Sequence, residues 1–197
     1  MVWEFFNEIG RKIIHVTMLI VLVLFFILKD TFNQQIALLF LVALLIVFLS
    51  LEYLRLELNF KIPFFYKFIR PKEQYSVYGV IFFLSSAIIC LAIFNTYIAL
   101  AALLMTTFGD TSAAIVGKKY GTTVLFKNKT MIGFAAGLIT NIIVAVLISL
   151  FFTTNIYIPI VMAFVATTTE TLVDELDDNL VVPIVSGFIG QILVLLI

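Results

Sequence analysis

Charge is what this chain has least of. Only 12% of its 197 residues are Asp, Glu, Lys or Arg, while 63% are hydrophobic, and the mean hydropathy is +1.19. A water-soluble domain carries about twice that charged fraction, so an ordinary soluble fold is excluded. Twelve acids balance twelve bases, and with no net basic field a nucleic-acid partner is not expected. The single cysteine, Cys90, excludes an internal disulfide and a cysteine metal cluster, and the single histidine, His15, excludes a His–His zinc motif. No Gly-x-x-x-x-Gly-Lys-Ser/Thr run occurs, which argues against a P-loop nucleotide site. A secretory signal pattern is missing too. Glu4 and Glu8 occupy the segment that should be basic, and no small-residue cleavage site precedes Lys29-Asp30. The first apolar run is therefore expected to stay as a membrane helix.

What the chain has instead is a series of apolar runs. A bilayer crossing needs about 20 residues, slightly fewer if the ends snorkel. Runs of that kind lie at roughly 13–28, 35–54, 77–94, 96–117, 131–152, 156–173 and 180–197. The expected fold is an all-α, polytopic membrane bundle of about seven transmembrane helices forming a single domain over 1–197. Numbered by alternation, one face holds the N-terminus and the second, fourth and sixth loops. It collects 11 of the 12 basic residues, with only Lys29 opposite. By the positive-inside rule that face is cytoplasmic, which puts the N-terminus in the cytoplasm. All acids except Asp30 follow the same division, with Asp110 inside the membrane near that face. Such one-sidedness suits an active centre better than a transporter, which presents polar groups to both sides.

Asp110 is the most informative of these acids. An acid within an apolar run costs roughly 3 kcal/mol on insertion scales and by default marks a functional site. Helical spacing puts Asp110, Ala113, Ala114 and Gly117 on one face, where small side chains let a helix or ligand approach. The plainer alternative is a helix-packing face with a hydrogen-bonded Asp. Glu8, Arg11, Lys12 and His15 form another helical face, i, i+3, i+4, i+7; interfacial anchoring would account for Arg11 and Lys12. The second loop runs from Glu52 and Arg55 to Arg70 and Glu73, mixing cations with aromatics as an interfacial segment does. Arg70 and Glu73 could instead reach a phosphate and a metal. Lys118, Lys119, Lys127, Lys129 and Thr130 in the fourth loop could cradle a polyphosphate or simply set topology. Glu170, Asp174, Asp177 and Asp178 follow i, i+4, i+7, i+8 without a nearby base. Like charges at that spacing repel, and hard oxygen ligands suit Mg²⁺ held together with substrate phosphates.

Taken together, these segments resemble the CTP-dependent polyprenol kinase family, which includes dolichol, phytol and CTP-dependent diacylglycerol kinases. The matching elements are Glu8-x-x-Arg11-Lys12-x-x-His15, Glu52-x-x-Arg55, Arg70-x-x-Glu73 and Gly79. They continue with Gly109-Asp110-Thr111-x-Ala113-Ala114-x-x-Gly117-x-x-Tyr120-Gly121, Lys129-Thr130-x-x-Gly133, and Glu170 with Asp178-Asn179-x-x-x-Pro183. One departure is Ile132, where family members often carry an acid. The resemblance implies transfer of the γ-phosphoryl group of CTP to a lipid alcohol (a polyprenol such as dolichol or phytol, or diacylglycerol). It implies Asp110, Glu170 and Asp178 as catalytic residues. Arg70, Lys118, Lys119, Lys129, Thr130, Gly117, Gly121 and Asn179 would bind the nucleotide, and Asp110, Asp177, Asp178 and Glu73 would hold Mg²⁺. A multi-pass location follows, in the plasma membrane of a prokaryote or in endoplasmic reticulum or plastid of a eukaryote. The alternatives are a CTP:phospholipid cytidylyltransferase and a small membrane transporter.

Overall fold

The computed structural model describes residues 19–57, 79–127, 129–173 and 176–196. They form seven helices and one short hairpin. Helix α1 covers 19–31, α2 Gln34–Glu57, α3 Gly79–Ile93, α4 Thr96–Tyr120, α5 Met131–Phe152, α6 Tyr157–Leu172 and α7 Asp178–Leu196. Strands β1 (Val124–Phe126) and β2 (Lys129–Thr130) pair antiparallel between α4 and α5, Val124 opposite Thr130 and Phe126 opposite Lys129. Four helices, α2, α4, α5 and α7, are long and apolar enough to cross a membrane; α3 and α6 are apolar but shorter.

Several boundaries differ from those read in the sequence. Lys29 belongs to the last turns of α1 rather than to a break, and Lys118 and Lys119 close α4 rather than opening a loop. A cation is favourable at a helix C-terminus, where it meets the partial negative charge of unpaired carbonyls. Glu170 and Asp178 do not share one helix, and Asp174 and Glu175 lie outside the described residues. Helix α6 stops at Leu172, Val173 turns extended (φ −75°, ψ 127°), and α7 begins at Asp178. Aspartates cap and start helices better than they continue them, so the spacing that looked helical is split between two elements. The β-hairpin was not expected at all.

The contacts group into two units, Met1–Ile88 and Ile89–Ile197. In the first, Leu22 and Phe25 of α1, Ala37 and Leu41 of α2, and Ile81, Phe83, Leu84 and Ala87 of α3 are buried. Most of the remaining apolar surface of α2, including Leu39, Ile46 and Val47, faces outward.

The second unit is a four-helix bundle in which α4 packs against α5, α6 and α7. Its core joins Ile98, Ala101, Ala102 and Met105 of α4 to Val144, Ala145 and Ile148 of α5. Ile158, Met162, Ala163 and Ala166 of α6 and Val182 of α7 complete it. The α4–α5 crossing is close because both helices offer small residues every fourth position: Gly109, Ala113, Gly117 on one and Gly133, Gly137 on the other. A side chain at Gly133 would come within 2.9 Å of the Ala113 carbonyl. Without water between helices, such close backbone contact is the main source of association in a bilayer.

Candidate functional site

The tight α4–α5 crossing positions the site. It brings the start of α5 alongside the end of α4. There Thr130 caps α5, its Oγ1 accepting from the Gly133 amide at 3.1 Å, and Thr130 also lies against Gly117 and Gly121. Lys129, one residue earlier, is thereby carried over the end of α6. Its Nζ donates to Glu170 Oε1 at 3.3 Å, linking residues 41 apart in sequence. Glu170 is buried and Lys129 half-buried.

Asp110 and Asp178 complete the layer. Burial alone would lower the Lys129 pKa. The carboxylates of Glu170, Asp110 and Asp178 overcome that and hold it above its ordinary 10.5, so the side chain stays cationic. Asp110 is buried on α4, and Asp178 is half-buried in the first turn of α7. Asp177 fixes the next residue: its Oδ1 accepts from both the Asn179 amide (3.0 Å) and the Asn179 side chain (2.8 Å). Four elements (α4, β2, α6 and α7) thus deliver three carboxylates, one ammonium and a buried carboxamide to one end of the bundle.

Beneath this layer lies a neutral polar contact that sequence reasoning passed over. Asn141 of α5 is buried, and its Nδ2 donates to Thr167 Oγ1 at 2.9 Å. The Thr167 hydroxyl gives its own proton to the Ala163 carbonyl at 2.9 Å, so the amide must face it with its nitrogen. That turns Asn141 Oδ1, which accepts no hydrogen bond within the bundle, toward Gly109. A Cβ on Gly109 would stand 2.5 Å from this oxygen. Gly109 is therefore the centre of the small face on α4, and Asp110 lies at its edge, one residue on. The i, i+4, i+8 series Gly133, Gly137, Asn141 was the signal that could have found it.

The other expected residues are placed as follows. Glu52 and Arg55, in the first unit, form a part-buried ion pair at the end of α2, with Arg55 Nε 2.9 Å from Glu52 Oε2. Lys118 and Lys119 are exposed, and Lys119 Nζ lies 5.0 Å from the centre of the Tyr120 ring. Gly117 serves the helix crossing, and Gly121 follows the end of α4. Glu8, Arg11, Lys12, His15, Arg70 and Glu73 lie outside the described residues. Among the described residues, no three His, Cys, Asp or Glu side chains stand close enough to enclose a metal ion. The hard oxygens of Asp110 and Asp178 nevertheless fit Mg²⁺, which commonly takes one or two carboxylates and fills its sphere with phosphates and water. Comparison with protein-family models, with curated proteins and with solved structures found no match to this chain.

Proposed function

We propose that this protein is a CTP-dependent lipid-alcohol kinase. It transfers the γ-phosphoryl group of CTP to the hydroxyl of a polyprenol-type alcohol or diacylglycerol at the cytoplasmic face of a membrane that it crosses about seven times. The observation that carries the reading is the Lys129–Glu170 pair, with Asp110 and Asp178 in electrostatic reach, at one end of an apolar bundle. Phosphoryl transfer demands in-line placement and neutralisation of oxygen charge more than covalent help from the protein. Lys129 is one cation available to the triphosphate oxygens, beside the expected Arg70, Lys118 and Lys119, and Asn179, held by Asp177, orients a phosphate or ribose group. Mg²⁺ held by Asp110, Asp178 and the CTP phosphates would neutralise charge on the transferring group. As the alcohol oxygen bonds to the γ-phosphorus, the bond to the bridging β–γ oxygen breaks and CDP leaves. The alcohol proton passes to a carboxylate of the layer. The apolar surfaces below accept the lipid chain and leave its hydroxyl at the level of Glu170.

The test is product analysis with CTP labelled at the γ-phosphorus and a panel of lipid alcohols. Label in the lipid supports the kinase. Label in pyrophosphate assigns the chain to the cytidylyltransferases, and no CTP turnover with any lipid leaves a binding or transport role.

A further inference from the structure

Ten residues, 121–130, join α4 to α5 and contain the β1–β2 hairpin. All three residues of β1 are exposed: Val124 by 60%, Leu125 by 44% and Phe126 by 38%. Successive side chains on a strand point to opposite faces, so both faces of this strand carry exposed apolar side chains. Tyr120, Met131 and Ile132, at the adjoining helix ends, are exposed as well.

The sequence around the apolar tip carries charge of one sign. Lys118, Lys119 and Lys127 are exposed around it, and no acid occurs in the sequence between Asp110 and Glu170. Lys119 lies over the Tyr120 ring and Lys127 over the Phe126 ring, at 5.0 and 5.8 Å from the ring centres. Two of the three ammonium groups therefore lie directly beside the aromatic surface of the tip. Lys129, which donates to Glu170, is half-buried and is not part of this exposed set.

Position identifies the partner. The hairpin is strung directly between two helices that are long and apolar enough to cross a membrane, so a short link of this kind stays at the lipid–water boundary. We propose that the hairpin is an interfacial anchor: Val124, Leu125 and Phe126 sink among the headgroups of the bilayer, and Lys118, Lys119 and Lys127 hold anionic phospholipid there. Apolar side chains gain from the acyl boundary, and each lysine near an anionic surface strengthens attachment on the order of fivefold. The inference stands apart from the phosphotransferase reading, since nothing in it requires CTP.

The test uses the full chain in nanodiscs of phosphatidylcholine alone or mixed with phosphatidylglycerol, with an environment-sensitive fluorophore on Leu125→Cys in a Cys90→Ala background. Ile143→Cys, on an exposed mid-helix position of α5, serves as the reference for burial in lipid. With phosphatidylglycerol present, the label at 125 should be quenched by a spin label carried near the lipid headgroup and shielded from aqueous acrylamide. Lys118→Gln, Lys119→Gln and Lys127→Gln together, or high salt, should reduce the lipid quenching severalfold and leave position 143 unchanged. Full acrylamide access with no lipid quenching would overturn the proposal. So would shielding that appears only with energy transfer between two labelled copies, or only on adding CTP. Equal lipid quenching in both nanodiscs, indifferent to the lysines, would overturn the anionic-lipid assignment.

Discussion

The four-helix bundle closes its two ends by different chemistry. At one end the turn between α3 and α4 is tied by Gln191, whose Oε1 accepts from the Asn95 amide at 2.8 Å. The turn from α5 to α6 there uses Thr153 in the left-handed region (φ 50°) and Asn155, whose Oδ1 accepts from the Tyr157 amide at 3.1 Å. Among the described residues, no charged side chain takes part in these two turns. Toward the other end stand Lys129 in β2, Glu170 in the last turn of α6, Asp178 at the start of α7 and Asp110 within α4. The neutral end demonstrates that this chain can finish its helices with Asn, Gln and Thr. Charge at the opposite end is therefore surplus to helix termination, and buried charge is retained at a cost of several kcal/mol per ion before pairing. That cost is the reason for reading the charged end as the candidate functional site.

The comparison breaks most visibly if the charged end can be neutralised without loss. Asp110→Asn should lower transfer of γ-label from CTP to lipid by about a hundredfold or more, with the protein still inserted and folded by detergent-resistant circular dichroism. Near-normal turnover would remove Asp110 from the chemistry. Lys129→Ala strands Glu170 beside two other carboxylates. Losing one partner of a fully buried pair costs about 3–5 kcal/mol, and Lys129 is half-exposed, so about 1–3 kcal/mol is expected in unfolding experiments. Adding Glu170→Gln should restore most of it, and a cycle with no coupling would mean the two side chains do not meet. The raised Lys129 pKa sets the pH window. Its contribution is complete below the ordinary lysine value of 10.5 and is lost only as pH rises through the still higher folded value.

Smaller effects probe how the layer is held. Gly133→Ala drives a methyl toward the Ala113 carbonyl and should destabilise the α4–α5 pair by about 1–3 kcal/mol, read as a lower unfolding midpoint. Loss of activity greater than loss of folded protein would show that the crossing sets the distance between Asp110 and Lys129. Gln191→Ala, at the neutral end, removes one hydrogen bond worth about 1 kcal/mol and should leave turnover unchanged within about twofold. A large fall in turnover there would erase the distinction between the two ends.

Much of the charged end was legible because acids in apolar runs are expensive and therefore conspicuous. Asp110, Lys129, Glu170 and Asp178 were each picked out from the sequence and come together in the structure. Helix α5 was read at its observed limits, since no charged residue or proline intervenes between Thr130 and Thr153. Other features were hidden for physical reasons. A neutral carboxamide costs far less than an ion, so Asn141 did not stand out, and its partner Thr167 is 26 positions away. The late acids looked like one helical face, because spacing alone does not reveal that the chain turns extended at Val173. Val124-Leu125-Phe126 was overlooked amid the lysines, although Thr122, Thr123, Val124 and Phe126 are residue types enriched in strands.

The central claim is that the end bearing Lys129, Glu170 and Asp178 meets water on one side of the membrane and the end bearing Asn95 and Asn155 meets it on the other. Single cysteines at Thr122 and Leu176, near the charged end, and at Asn155, near the neutral end, all exposed, can be labelled in sealed vesicles of known orientation with a membrane-impermeant maleimide. The account predicts that 122 and 176 react from the cytoplasmic side only and 155 from the opposite side only. Reaction of 122 and 176 from different sides would contradict it.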